Sequence, residues 1–385
     1  MKTIEPNILL YVINADWYFN LHWLDRALAA KSRGYQIHVM CYFSGESIRA
    51  DLEKRDFICH HLNISRSSID LVNELSTLLE LKGRVKAIRP TLIHSVTVKP
   101  NVYAGIVARW LRIPIVCSVT GLGVIFSNSS FRNKMLRSVV KQAYKFCSAP
   151  QTVKFLFENA ADLKLLTESR VIEKKKTMQV SGAGVDIDEY HFVAESRHDE
   201  VSVLFAARLL EDKGLRNLID AVEHVRGKGI KVLLNVAGIF DEDAQNAISH
   251  EQIEMWGNSG VINWLGTRDD MPSLISSSSI VSLPTSYGEG IPRVLIESSA
   301  CGRAIVTTNV SGCNEFVEDG CNGLIVEPHD TLMLANALEK LIENYDLRAD
   351  MGRKGRTLVE KKYTKEIVIR QTFEVYRELL EMVDV

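Results

Sequence analysis

Short apolar runs alternate with stretches of helical periodicity along most of this chain. In the first half the runs Ile8–Ile13, Gln36–Cys41, Leu92–Ser95, Ile115–Val119 and Thr177–Val180 predict strands, with helices over 21–31, 71–88 and 102–111 between them. A polar stretch, 191–200, interrupts the pattern and reads as a linker. The alternation then restarts, with strands at Val201–Ala206, Lys231–Ala237, Val261–Trp264, Ile280–Leu283, Ala304–Thr307 and Leu324–Val326. Helices are expected over 215–226, 242–256 and 292–301, and residues 331–385 read as two or three amphipathic helices. Strands alternating with helices predict an α/β architecture of parallel sheets covered on both faces. At 385 residues the chain is too long for one ordinary core, so two doubly wound, Rossmann-like domains are expected. They span 1–190 and 198–362, with 363–385 a last helix packing back towards the first domain. Such domains hold ligands at the carboxyl ends of their strands, here in the cleft where the two face each other.

The most informative stretch is Ser286-Tyr287-Gly288-Glu289-Gly290-Ile291-Pro292-Arg293-Val294-Leu295-Ile296-Glu297. Pro292 is suited to the first helical position, because its missing N–H would be unpaired there in any case. Glu289 then sits on a loop before a helix and Glu297 nearly two turns into it. A helix start offers free N–H groups and partial positive charge to an anion, while carboxylates accept from hydroxyls. The combination suits a ligand that is part phosphate and part polyol. Ala206-Ala207-Arg208-Leu209-Leu210-Glu211-Asp212-Lys213-Gly214 likewise joins a strand's carboxyl end to a helix, and its two cations suit a diphosphate.

Charge changes the picture further. Residues 1–190 carry 26 Lys and Arg against 17 Asp and Glu, whereas the rest carries 20 against 31. No acid occurs from Leu81 to Phe157, where 13 basic residues do. Within it, Lys134, Arg137, Lys141 and Lys145 share one face of a predicted helix that also carries aromatic and aliphatic residues. That pattern fits a helix resting on an anionic membrane surface. No recognised nucleic-acid-binding module accompanies the charge, and nucleic acid is not expected as a partner. No apolar run approaches the ~20 residues needed to span a bilayer. The seven cysteines are scattered, without disulfide or zinc spacing, which fits a reducing cytoplasm.

In order and spacing, Arg208-x4-Lys213, Glu289-x7-Glu297 and Asp319-Gly320-Cys321-Asn322-Gly323 resemble family 4 of the retaining glycosyltransferases, whose fold is GT-B. The resemblance implies that Arg208 and Lys213 bind the donor diphosphate, that Glu289 contacts sugar hydroxyls, and that Glu297 accepts from the ribose. Backbone N–H groups of Gly290 and Ile291 would add donors. In the first half, Asn14-Ala15-Asp16-Trp17-Tyr18-Phe19-Asn20-Leu21-His22 is similar to a loop of the bacterial surface-polysaccharide (O-antigen or capsule) subgroup, as are Ile93-His94-Ser95 with Lys99-Pro100 and Val119-Thr120-Gly121-Leu122-Gly123. By resemblance Asp16, His22, His94, Lys99 and Gly121 are acceptor contacts, with Asp16 and His22 candidates for the chemistry. The first strand–helix loop has Asp16-Trp17 where many family members have a glycine pair, and Thr120 stands where many have histidine.

The implied reaction moves a hexose or N-acetylhexosamine, UDP-linked in many such relatives, to a polyprenyl-diphosphate-linked sugar at the cytoplasmic leaflet. No cofactor or metal is expected beyond the nucleotide-sugar co-substrate. A same-face substitution is expected, with the departing diphosphate deprotonating the acceptor. Rival readings are a UDP-sugar epimerase of the same fold and a non-enzymatic protein binding anionic surfaces. A dehydrogenase is disfavoured, because no Gly-x-Gly-x-x-Gly follows the first strand.

Overall fold

The computed structural model describes residues 7–64, 71–122, 126, 131–197, 200–241, 244 and 246–382. The chain divides into two compact units, one of residues 1–183 with 368–385 and the other of residues 184–367.

The first unit is built on β1 (Ile8–Ala15), β2 (Gln36–Tyr42), β3 (Ile58–His61), β4 (Leu92–Val96), β5 (Ile115–Val119), β6 (Val153–Phe157) and β7 (Thr177–Gln179). They form one parallel sheet in the order β3-β2-β1-β4-β5-β6-β7. Strands β3 and β6 escaped the sequence reading. Two of the four residues of β3 are histidines, and β6 carries Lys154, which pairs at 2.7 Å with Glu378. Each face of the sheet has its own apolar core. On one face the C-terminal helix, Lys365–Glu381, inserts Val375, Tyr376 and Leu379.

The second unit is built on β8 (Val201–Arg208), β9 (Val232–Ile239), β10 (Asn263–Trp264), β11 (Ile280–Leu283), β12 (Ala304–Thr308) and β13 (Gly323–Val326). They too form a parallel sheet, in the order β10-β9-β8-β11-β12-β13, around a single large core. In both sheets the winding reverses beside the first strand, between β1 and β4 and between β8 and β11. Ligands of open parallel sheets bind at such switch points, outside the carboxyl ends of the strands.

The division falls at Ala183–Gly184, earlier than the boundary at 190 read from the sequence. The described part of the expected linker, 191–197, is a strap bound to the second unit, and His198 and Asp199 lie outside the described residues. Glu195 pairs at 2.8 Å with Arg348, both side chains being almost fully buried, and the Glu195 carbonyl accepts from the Tyr345 hydroxyl. Phe192 lies against Gly302, where an added Cβ would stand 2.5 Å from its ring. Polarity marked this stretch as a linker, but a buried ion pair supplies its partners. In the same unit, residues 242, 243 and 245 of the expected helix 242–256 are outside the described residues, and the helix observed there is His250–Asn258.

Candidate active site

The switch point of the second unit gathers three of the four motif side chains. Arg208 ends β8, Lys213 lies in the short 3₁₀ turn Glu211–Lys213 that follows, and Glu289 lies in the loop after β11. Lys213 donates to Glu289 Oε1, and its ammonium stands 5.1 Å from the centroid of Tyr287. Arg208 Nη1 donates to Asp241 Oδ2 at 2.8 Å. Burial works to lower the Lys213 ammonium, but the Glu289 charge more than reverses it, so the group ends above its ordinary value. Arg208 behaves likewise: desolvation lowers it, and Tyr287 and Asp241 raise it on balance. Both cations therefore stay charged in a largely desolvated place, where a charge acts most strongly on a bound anion.

The backbone makes this cluster rigid. The Asp212 carbonyl accepts from the Ser286 N–H (2.8 Å), the Thr285 hydroxyl (3.0 Å) and the Ser286 hydroxyl (3.2 Å), tying the lysine turn to the glutamate loop. Gly214 has φ +82 and lies so close that an added Cβ would meet the Pro284 carbonyl oxygen at 2.1 Å. Gly312 (φ +86) packs against the loop from the other side, its missing Cβ falling 2.3 Å from the Gly290 oxygen. Glu289 N–H donates to the Ser311 carbonyl at 3.2 Å.

Pro292 stands one position earlier than expected, as the N-cap of helix Arg293–Ala300 with ψ 124, because its extended backbone lies outside the helix. Among the described residues, the N–H groups of Gly290 and Ile291 meet no backbone acceptor. Glu297 belongs to a different set of contacts. It is buried, accepts from Arg293 at 2.6 Å and adjoins Tyr190.

The first unit is less compliant. Asp16 is not on an open loop: it begins the helix Asp16–His22, is fully buried, and accepts from the Ser44 N–H at 3.0 Å and the Ser44 hydroxyl at 3.1 Å. With no exposure and its oxygens engaged, it ties the β1 loop to the β2 loop. His94 is equally buried, in the middle of β4. Its Nε2 meets the Ser118 hydroxyl at 2.7 Å, its Nδ1 the Tyr376 hydroxyl, and its ring stacks on Tyr11. Burial holds it well below the usual histidine range, which makes it a neutral core residue bonded to the C-terminal helix.

The other three first-unit candidates lie outside the strands. His22 is half-buried at the end of its helix, 4.4 Å from the Tyr18 ring, and its carbonyl accepts from Arg26 at 2.8 Å. Lys99, in the first turn of helix Val98–Leu111, pairs with Glu74 at 2.6 Å. Gly121 follows β5 with φ 125, and Gly123 lies outside the described residues.

Sequence reasoning missed Asp241 and the part played by Tyr287. Asp241 belongs to no motif. Only the pairing of β8 with β9, which sets Arg208 opposite Ile239, brings it alongside. Among the described residues no three His, Cys, Asp or Glu side chains gather as a metal-binding group.

Two doubly wound parallel units, one with paired cations and a carboxylate at its switch point, are the parts of a glycosyltransferase of the GT-B fold, and the chain is one. Residues 8–158 match the family described as "Glycosyl transferase 4-like" and residues 186–358 the family "Glycosyl transferases group 1". The chain belongs to this glycosyltransferase family. It is 26% identical over 332 residues to the N,N'-diacetylbacillosaminyl-diphospho-undecaprenol alpha-1,3-N-acetylgalactosaminyltransferase of Campylobacter jejuni, covering 83% of this chain and 85% of that one. It is also 26% identical to the capsular polysaccharide biosynthesis glycosyltransferase CapM of Staphylococcus aureus, over 86% of this chain and 88% of that one. Anabaena Alr3699/HepE, solved with UDP and glucose, shares the fold at a TM-score of 0.78 with 21% identity, over 96% of this chain and 99% of the other.

Proposed function

We propose that this glycosyltransferase moves a hexose or N-acetylhexosamine, with retention, from a UDP-linked donor to a polyprenyl-diphosphate-linked sugar in surface-polysaccharide synthesis. The observation that carries the reading is the Arg208, Lys213 and Glu289 cluster at the switch point of the second unit. Arg208 and Lys213 hold the diphosphate and stabilise the charge that grows on it as the glycosidic bond breaks. Glu289 turns to the sugar hydroxyls once the diphosphate draws Lys213 towards itself. The N–H groups of Gly290 and Ile291 donate to the same ligand, and Glu297 accepts from the ribose when Arg293 releases it. The departing diphosphate takes the proton of the acceptor hydroxyl as the new bond forms on the face the old one left. No side chain is assigned as a nucleophile. His22, Lys99 and Gly121 are the proposed acceptor contacts, and the Campylobacter relative, named for a diphospho-undecaprenol acceptor, supports that acceptor class.

Attachment to the inner leaflet belongs to the same proposal. Helix Phe131–Cys147 buries Val140 and Tyr144 yet leaves Met135, Val139 and Phe146 exposed along one outer strip, beside Lys134 and Lys145. A strip of apolar side chains edged by ammonium groups is what a helix lying in an anionic headgroup layer requires. Among the described residues no helix is long and apolar enough to cross a membrane.

The test is a panel of UDP- and GDP-sugars assayed for nucleoside diphosphate release, with and without a polyprenyl-diphosphate-sugar acceptor. Acceptor-dependent UDP release with a lengthened glycolipid is expected. Conversion of the UDP-sugar to its epimer without acceptor would replace this reading by the epimerase, and normal turnover in both Arg208→Ala and Lys213→Ala would exclude the diphosphate roles.

A further inference from the structure

We propose that Asp241 is a positioning residue for Arg208, holding the guanidinium apart from Glu289 so that both cations face the donor diphosphate; this rests on the donor-site reading above. The cluster holds two cations and two carboxylates, and their pairing is specific: Arg208 with Asp241, Lys213 with Glu289. Glu289 is the alternative partner, since its charge also raises Arg208. Were Asp241 absent, the guanidinium would be left to Glu289, whose charge already acts on it and whose Oε1 already accepts from Lys213. Both cations would then converge on one carboxylate and turn from the space a diphosphate needs. A charge-assisted bond from a carboxylate that is only 9% exposed fixes the guanidinium plane more firmly than an exposed partner does.

Asp241 is itself well held. The parallel register sets Arg208 opposite Ile239 on β9, two residues before Asp241. Phe240 between them stacks on His250 with ring centroids 3.5 Å apart, and the Asp241 carbonyl accepts from the Ala244 N–H at 3.0 Å. The carboxylate is thus presented from a strand end braced on both sides. It touches the cation and not the substrate, so it acts through Arg208.

The experiment compares Arg208→Ala, Asp241→Ala, Asp241→Asn and the double variant Arg208→Ala/Asp241→Ala, recording kcat and donor KM separately, with melting temperatures to confirm folding. Arg208→Ala is expected to lose about 10²-fold in kcat, as removal of one preorganised charge contact does. Asp241→Ala is expected to lose roughly 10-fold in kcat with donor KM changed little, and Asp241→Asn, which keeps an oxygen acceptor for the guanidinium, to recover most of that loss. The double variant should be no slower than Arg208→Ala alone, because groups acting as a unit are not additive. If the two losses multiply, or if Asp241→Ala keeps wild-type kcat while Arg208→Ala is slow, the positioning role is overturned and the donor site stands. If Arg208→Ala itself turns over normally, the donor-site reading falls and this proposal with it.

Discussion

Lys213 and Glu289 give the sharpest separation of stability from activity. The Lys213 side chain is 7% exposed and that of Glu289 22%, so each is the main compensation for the other's buried charge. Removing one member of a buried pair typically costs about 3–5 kcal/mol, because the survivor is left uncompensated. Lys213→Met leaves a carboxylate that still reaches water, so about 2–3 kcal/mol is expected. Glu289→Gln leaves an ammonium with little access to water and should cost about 3–4 kcal/mol. For a unit of this size 1 kcal/mol corresponds to roughly 2–4 °C in Tm, so melting should fall by about 4–12 °C in Lys213→Met and by about 6–16 °C in Glu289→Gln. Lys213→Met/Glu289→Gln removes both charges together and should regain most of the lost Tm. It should not regain activity, because the contact to the leaving diphosphate, worth about 3–4 kcal/mol of barrier, is gone in both lysine variants. The assay pairs thermal melts with acceptor-dependent UDP release. A Lys213→Met protein melting like wild type would refute the claim that the pair holds the glutamate loop, and an active double variant would refute the diphosphate role.

Four further outcomes are expected. Gly312→Ala sets a Cβ 2.3 Å from the Gly290 oxygen at a left-handed φ, so it should destabilise by several kcal/mol and abolish turnover; wild-type melting would contradict the packing of the two loops. Glu195→Ala strands the buried Arg348 guanidinium and should lower Tm by roughly 6–12 °C if the 191–197 strap is structural, a change read directly by calorimetry. His38 is lowered to about 4 by burial and by His60, and His94 lies well below the usual range; both are neutral in the fold and take a proton on unfolding below pH 6.5, so the stability they contribute is full above pH 6.5 and lost as pH falls from there, for His38 towards 4. Melts between pH 7.5 and pH 4.5 should show a steeper acid loss for wild type than for a foldable His38→Gln variant. Lys134→Glu/Lys145→Glu should weaken sedimentation with phosphatidylglycerol vesicles by about 1 kcal/mol per charge removed, and the uncharged Met135→Gln/Val139→Asn should weaken it independently of salt; unchanged binding in both would remove the membrane surface from the proposal.

The sequence determined what depends on local chemistry and periodicity. The alternation of apolar runs with helical stretches specified two parallel, doubly wound units, since a strand buried on both faces is continuously apolar wherever it occurs. The spacing of Arg208, Lys213 and Glu289 placed them at strand ends and helix starts, and the cluster formed as those positions require. Where a strand carried charge or histidine, as in β3 and β6, periodicity was silent, because its partners came from elsewhere in the chain. Tertiary structure alone decided which polar residues gather at the switch point and which are taken up by the core. Asp16 and His94 have the chemistry of a site, yet Ser44, Ser118 and Tyr376 occupy their hydrogen-bonding atoms within the core. Asp241 has no motif, yet strand order sets it against Arg208. The 191–197 strap has the composition of a linker, yet it is fastened by Arg348. In each case the deciding quantity is access to water and to a partner distant in sequence, which spacing along the chain does not encode.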